Sequence, residues 1–172
     1  MAKIGLFFDT DTGNTRKVAK MIKKLFDDDE VELMNIVKAA PDDLKRFQAL
    51  ILGTPTLGDG ELPEKWQEFL PRLEGEDFSS ATIALFGLGD QIEYAHEFVD
   101  GLGLLYEEFE ALGASFVGSW PLDGYEYDVS RAEVDGEFVG LVLDQDNQSA
   151  KTKSRVEAWV EQVKPLLRAA AG

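Results

Sequence analysis

Short, almost uninterrupted apolar runs separated by stretches of helical periodicity constrain this chain more than any other feature. Residues 4–8 (Ile-Gly-Leu-Phe-Phe), 49–54 (Ala-Leu-Ile-Leu-Gly-Thr) and 82–87 read as strands without the alternation of a half-exposed sheet. Strands of that kind need both faces covered, which is the habit of parallel sheets. Between the first two runs, Val18, Met21, Ile22, Leu25 and Phe26 fall on one face of a predicted helix over 15–26. Arg16, Lys17, Lys20, Lys23 and Lys24 fall mostly on the other, as on a solvated face. A weaker strand is predicted at 31–37 and short helices at 41–47 and 66–70, with Pro41 suited to a first turn. A helix over 98–112 follows, then strand character at 116–117 that resumes at 141–143, and a closing helix over 152–170. Gly101 and Gly103 weaken the fourth helix by roughly 1 kcal/mol each relative to Ala, and nothing local explains Gly101.

This alternation predicts an α/β fold: a doubly wound parallel sheet of five strands with helices on both faces and right-handed crossovers. The 172 residues fit one domain over 1–172, interrupted in its last strand by a polar, acidic segment over about 120–140. Seventeen Lys and Arg against 33 Asp and Glu leave a formal charge of −16. Such a chain is expected to bind neither nucleic acid nor anionic membrane. The absence of cysteine excludes disulfides, iron–sulfur clusters and a thiol nucleophile, and a single histidine excludes a multi-histidine metal site. No apolar run reaches about 18 residues and no leader pattern opens the chain, so a cytoplasmic protein is expected.

In an open parallel sheet, ligands bind beyond the carboxyl ends of the strands. After the first strand stands Asp9-Thr10-Asp11-Thr12-Gly13-Asn14-Thr15, opening a helix. Free amides and hydroxyls at a helix start suit a phosphate, although threonines there are as often simple caps. Asp9 and Asp11 put negative charge beside such a phosphate, which disfavours it unless their carboxylates point to solvent. After the third strand come Thr54-Pro55-Thr56-Leu57-Gly58-Asp59-Gly60-Glu61-Leu62-Pro63, and after the fourth Gly87-Leu88-Gly89-Asp90-Gln91-Ile92-Glu93-Tyr94. Each alone reads as a stiff turn. Three such loops at one sheet edge, with hydroxyls, glycines and an aromatic, suggest a planar ligand carrying a phosphate.

With Thr10–Thr15, Thr54–Leu62, Phe86–Tyr94, Leu143–Ser149 and the 120–140 interruption all in order, the chain resembles the long-chain flavodoxins, the nitrogen-fixation type included. The resemblance implies strand order 2-1-3-4-5, one non-covalent FMN and the work of a low-potential one-electron carrier, cycling mainly between semiquinone and hydroquinone. It implies a monomer without substrate turnover of its own. Candidate partners are ferredoxin–NADP reductase, nitrogenase reductase and pyruvate–flavodoxin oxidoreductase. Carried over, Thr10, Asp11, Thr12, Gly13, Asn14 and Thr15 would hold the FMN phosphate. Pro55, Thr56, Leu57, Gly58, Asp59 and Gly60 would line one side of the flavin. Leu88, Gly89 and Asp90 would meet its polar edge, Tyr94 would stack on its outer face with Glu97 and Phe98 nearby, and Asp146 would reach the ribityl chain. No catalytic or metal-binding residue is expected. The chain departs from the pattern at Asp9 and Asn14, where the family often has Gly and Lys, and at Leu57, where many members have Trp.

Two physical expectations follow from that resemblance. Gly58 makes the Gly58–Asp59 peptide easy to turn over on reduction. Asp59, Glu61, Asp90, Glu93, Glu97 and Asp146 would each oppose an added negative charge by ~0.4 kcal/mol at ~10 Å, or ~17 mV, summing to on the order of 100 mV before salt screening. Two other functions share features with this sequence. A phospho-acceptor signalling domain could use Asp9 and Asp11, but it needs an Asp where Gly53-Thr54-Pro55 stands and a Lys after the last strand. A flavin-dependent quinone reductase needs a hold for nicotinamide phosphates that these acidic loops do not offer.

Overall fold

The structure, a computed structural model, describes residues 2–10 and 12–172. β1 (Ile4–Phe8), β2 (Val31–Asn35), β3 (Ala49–Pro55) and β4 (Thr82–Leu88) pair in parallel, in the order β2-β1-β3-β4. Every residue of β1 and the first six of β3 are buried, as their unbroken apolar character requires. Helices cover both faces. On one, Ile4, Leu6, Ile51, Ala84 and Phe86 pack with Val18 and Ile22 of α1 (Asn14–Lys24). On the other, Leu50, Leu52, Ile83 and Leu85 pack with Leu44 of α2 (Pro41–Lys45) and with Trp66 and Phe69 of α3 (Glu64–Phe69). Leu102, Leu105 and Phe109 of α4 (Asp100–Ala111) complete that second layer.

The fifth sheet position is shared. β5 (Ser115–Val117) pairs with β4 as far as Ala84↔Val117. The segment that follows forms a small hairpin of β6 (Glu133–Val134) and β7 (Glu137–Phe138) before β8 (Leu141–Leu143) rejoins β4 at Phe86↔Leu141. The break is forced to be tight. A Cβ on Gly140 would lie 2.2 Å from the Leu85 carbonyl oxygen. The hairpin turns at Asp135 (φ 54) and Gly136 (φ 83), a dipeptide made for that turn, and it was not foreseen from the sequence. α5 (Thr152–Ala171) then closes the first layer through Val156, Trp159, Val160 and Val163.

Two predicted bounds move for physical reasons. β2 stops at Asn35 because the Asn35 side chain accepts a hydrogen bond from the Val37 amide and starts a 3₁₀ turn. α4 starts at Asp100 rather than 98, since Val99 adopts a left-handed backbone (φ 48). Gly101 has a long-range reason: its amide donates to Thr56 Oγ1 (2.9 Å), and a Cβ there would stand 2.6 Å from the Pro55 carbonyl oxygen.

The C-terminal turns of α5 are tied to the β2 entry by Arg168, whose Nε and Nη2 lie 2.7 and 2.9 Å from the Glu30 carboxylate. The Arg168 hydrogen bonds hold the Glu30 carboxyl below its ordinary value of 4.5, against a smaller opposing effect of burial. A carboxyl whose pKa is lowered by folding stabilises the fold above its unfolded pKa and loses that contribution as pH falls through the folded value. Glu30→Gln is therefore expected to lower the melting temperature slightly at pH 7, and the difference from wild type should vanish in acid. Calorimetry across pH 2–7 checks this.

Candidate functional site

The chain leaves β1 in one direction for β2 and returns in the other for β3, so a crevice opens between the carboxyl ends of β1 and β3. The loop after β1 ends in Gly13 (φ 94), whose carbonyl accepts the Lys17 amide as α1 begins. Among the described residues no side chain caps α1. The Thr10 hydroxyl instead accepts the Gly13 amide (2.9 Å) and folds the loop back on itself. The threonines are thus not ordinary caps, and Thr12 and Thr15 line the crevice.

The loop after β3 is braced by reciprocal bonds between Leu57 and Glu61, 2.8 and 2.9 Å long. The Thr56 amide donates to the Leu88 carbonyl, and the Thr56 hydroxyl holds the start of α4. Gly60 (φ 79) is wedged against Glu97 and Asp100, where a Cβ would stand 3.1 Å from Glu97 Cβ.

The loop after β4 is organised around Asp144, fully buried just beyond β8. Its carboxylate accepts from the Gln91 amide and side chain (3.1 and 2.7 Å), from the Asp146 and Asn147 amides (3.1 and 3.0 Å) and from Asn147 Nδ2. Gln91 Oε1 in turn accepts the Glu126 amide (2.5 Å), which fastens the 120–140 segment to this loop. Asn147 Nδ2 also reaches Asp90 Oδ1 (2.7 Å). Burial alone would raise the Asp90 carboxyl, but donors from Glu93, Asn147 and Ile92 together bring it below its ordinary value. Asp146 has fewer donors. Burial, then the charges of Asp90, Asp144 and Glu93, raise its carboxyl, so this end of the crevice is a negative field.

The resulting cleft, about 360 Å³, is lined by Thr12, Asn14, Thr15, Pro55, Thr56, Leu57, Gly58, Leu88, Gly89, Asp90, Tyr94 and Asp146, all expected from the sequence. Gln145 joins them unforeseen, one residue before Asp146. Thr10, Gly13, Asp59, Gly60 and Glu97 are not among the residues that line it. Asp11 lies outside the described residues. Phe98 is placed elsewhere. Fully buried, its ring packs 5.2 to 6.1 Å from those of Tyr125, Tyr127 and Phe138, which anchors the 120–140 segment. Asp9 corrects an expectation. Its carboxylate points neither to solvent nor into the cleft; it is 4% exposed and turned inward onto the Thr10 and Trp66 amides. Burial pushes its carboxyl above 3.8, and those amides, with the amide and charge of Lys65, only partly offset the effect.

Residues 6–159 match the family described as Flavodoxin. The chain belongs to the flavodoxin family. It is 45% identical over 169 residues to a flavodoxin from Synechocystis sp., covering 98% of this chain and 99% of that one. A flavodoxin from Klebsiella pneumoniae is 47% identical over 172 residues, covering 95% and 98%. Among solved structures, Fusobacterium nucleatum flavodoxin bound to flavin mononucleotide superposes with a TM-score of 0.90 at 32% identity, covering 96% of this chain and 99% of that one. Sheet order and the parallel pairing are those of a flavodoxin-like fold, with β8 continuing the interrupted edge strand.

Removing the Asp144 carboxylate would leave the two buried Gln91 donors without a partner, at ~1–3 kcal/mol for each that water cannot reach. Asp144→Ala is expected to cost the apoprotein at least about 2 kcal/mol in urea unfolding. The Gln91 and Asn147 amides should also exchange hydrogen faster, while those of α1 stay protected.

Proposed function

We propose that this flavodoxin binds one FMN non-covalently in the cleft and carries single electrons at low potential between partner redox enzymes, without turning over a substrate itself. The supporting observation is the joining, in one cleft of ligand size, of hydroxyl and amide donors at the α1 N-terminus with the Leu57 and Tyr94 side chains. The residues present fit the cofactor. Thr12, Asn14 and Thr15 would hold the phosphate, where amides and the helix dipole favour an anion. Leu57 and Tyr94 would cover the ring system and exclude water, with Gly89 and Asp90 at its polar edge and Asp146 toward the sugar-alcohol chain. Thr10 and Gly13 shape the phosphate loop, Asp59 and Gly60 the second loop, and Glu97 backs Gly60.

FMN, when bound, supplies the one-electron redox chemistry. The chain's residues tune it through backbone freedom and charge. Gly58 sits at φ 38, and among the described residues beyond its chain neighbours no heavy atom lies within 4 Å of where a Cβ would be, so the Gly58–Asp59 peptide can reorient at little cost. A carbonyl turned toward the cleft would accept a hydrogen bond from the flavin and separate the two one-electron steps. Asp90, Glu93 and Asp146 oppose a second negative charge, each by ~0.4 kcal/mol at ~10 Å in water. The charge of −16 would steer basic docking faces into short-lived contact at rates that fall with salt. Candidate partners of that kind are ferredoxin–NADP reductase, nitrogenase reductase and pyruvate–flavodoxin oxidoreductase. We read residues 1–172 as one domain acting as a monomer in the cytoplasm, with no nucleic-acid partner.

Titrating the apoprotein with FMN is expected to quench flavin fluorescence at one equivalent; failure to take up FMN overturns the reading. Gly58→Val places a β-branched residue at positive φ. It should bring the two one-electron midpoint potentials measurably closer, and an unchanged separation rejects the role given to that peptide.

A further inference from the structure

Asp9 is a buried carboxylate that the cleft does not use. It stands at the end of β1, where the sheet hands the chain to the loop around the α1 N-terminus. Oδ1 accepts the Thr10 amide at 2.8 Å and Oδ2 the Trp66 amide at 3.3 Å, 57 residues away on α3. Trp66 is itself immobilised. It is fully buried, and its indole Nε1 donates to the Gly53 carbonyl at 3.1 Å, the same carbonyl that receives the Asp9 amide at 3.3 Å. Gly53 has no room for a side chain, since a Cβ there would fall 2.0 Å from the Phe86 ring. A closed knot therefore joins the ends of β1 and β3 to α3, with the Asp9 carboxylate at its centre and the neighbouring Lys65 charge acting on it. From the knot the constraint passes in one step to the cleft. The Asp9 carboxylate fixes the Thr10 peptide, Thr10 Oγ1 fixes the Gly13 amide, and Gly13 starts α1.

We propose that Asp9 is a positioning residue for the phosphate end of the cleft: it clamps the start of the Thr10–Thr15 loop to α3, so that the loop's donors are held in place for a phosphate before one arrives. This rests on the flavin-binding reading above. The carboxylate acts at a distance. It does not line the cleft, and its oxygens are turned onto the Thr10 and Trp66 amides. Preorganised donors bind more tightly because ordering the loop no longer counts against binding.

The clamp predicts an effect confined to the phosphate. Apoprotein carrying Asp9→Ala or Asp9→Asn would be titrated with FMN and with riboflavin, which shares the ring system and lacks the phosphate. Asp9→Ala should weaken FMN on the order of tenfold, the size of a lost charge-assisted hydrogen bond, and leave riboflavin within about twofold. Asp9→Asn, which keeps one accepting oxygen, should fall between. Equal losses for both ligands would show a merely structural role and overturn the proposal, as would unchanged FMN affinity. Tighter FMN binding would overturn it too, by showing that the carboxylate opposes the phosphate. Amide hydrogen exchange of the apoprotein gives a ligand-free check. Asp9→Ala should speed exchange at Thr10, Gly13 and Trp66 while Leu57 and Glu61 stay as in wild type; unaltered Thr10 and Gly13 exchange overturns the clamp. If wild type binds neither ligand, the flavin reading fails while the exchange result still decides whether the clamp exists.

Discussion

The burial of a parallel sheet on both faces is the constraint from which the rest of the structure follows. Once Ile4–Phe8 and the core of β3 are apolar throughout, helices must cover each side, and each connection must cross over in the same hand. Every loop that leaves a strand then emerges at one edge of the sheet. The crevice exists because β2 and β3 lie on opposite sides of β1, which parts the loops after β1 and β3 and leaves room for a ligand between them.

Placing loops together does not make a site; their conformations must also be held. Here the holding is done by hydrogen-bonded polar groups beneath each loop, with the buried carboxylates of Asp9 and Asp144 at two of them. Asp9 and Trp66 tie down the first, the Thr56 hydroxyl and the Gly101 amide the second, and Asp144 with Gln91 and Asn147 the third. None of these carboxylates is left without donors, as burial of a charge demands. Asp144 also carries the 120–140 segment through Gln91, so that segment is part of the site's support as well as an extension of its surface.

The legible part of this protein was large and of one kind. Strand and helix order, the interruption of the last strand and the three loops could be read from periodicity and spacing, and most of the cleft lining followed from the family resemblance. Misreadings cluster where long-range packing overrules local pattern. Phe98 has helical spacing with the residues after it, yet Val99 adopts a left-handed backbone and the Phe98 ring joins Tyr125, Tyr127 and Phe138. The β6–β7 hairpin has a local signal in the Asp135-Gly136 dipeptide, masked by the acidic, turn-rich stretch around it.

Asp9 marks the boundary between the two sources of information. The sequence alone determines that an acid follows β1 next to a phosphate-type loop, because neighbours along the chain are given. It also determines the order of the elements and the charge of −16, since both are written in composition and local spacing, and its ordered loop motifs carry the resemblance to the family. Only the tertiary structure decides that the Asp9 carboxylate faces Trp66 rather than the cleft, that Asp144 gathers donors from two loops, and that Gly101 must lack a side chain. Those outcomes depend on which donors and walls a folded chain brings within hydrogen-bond reach, and their partners lie tens of residues away, beyond any local periodicity.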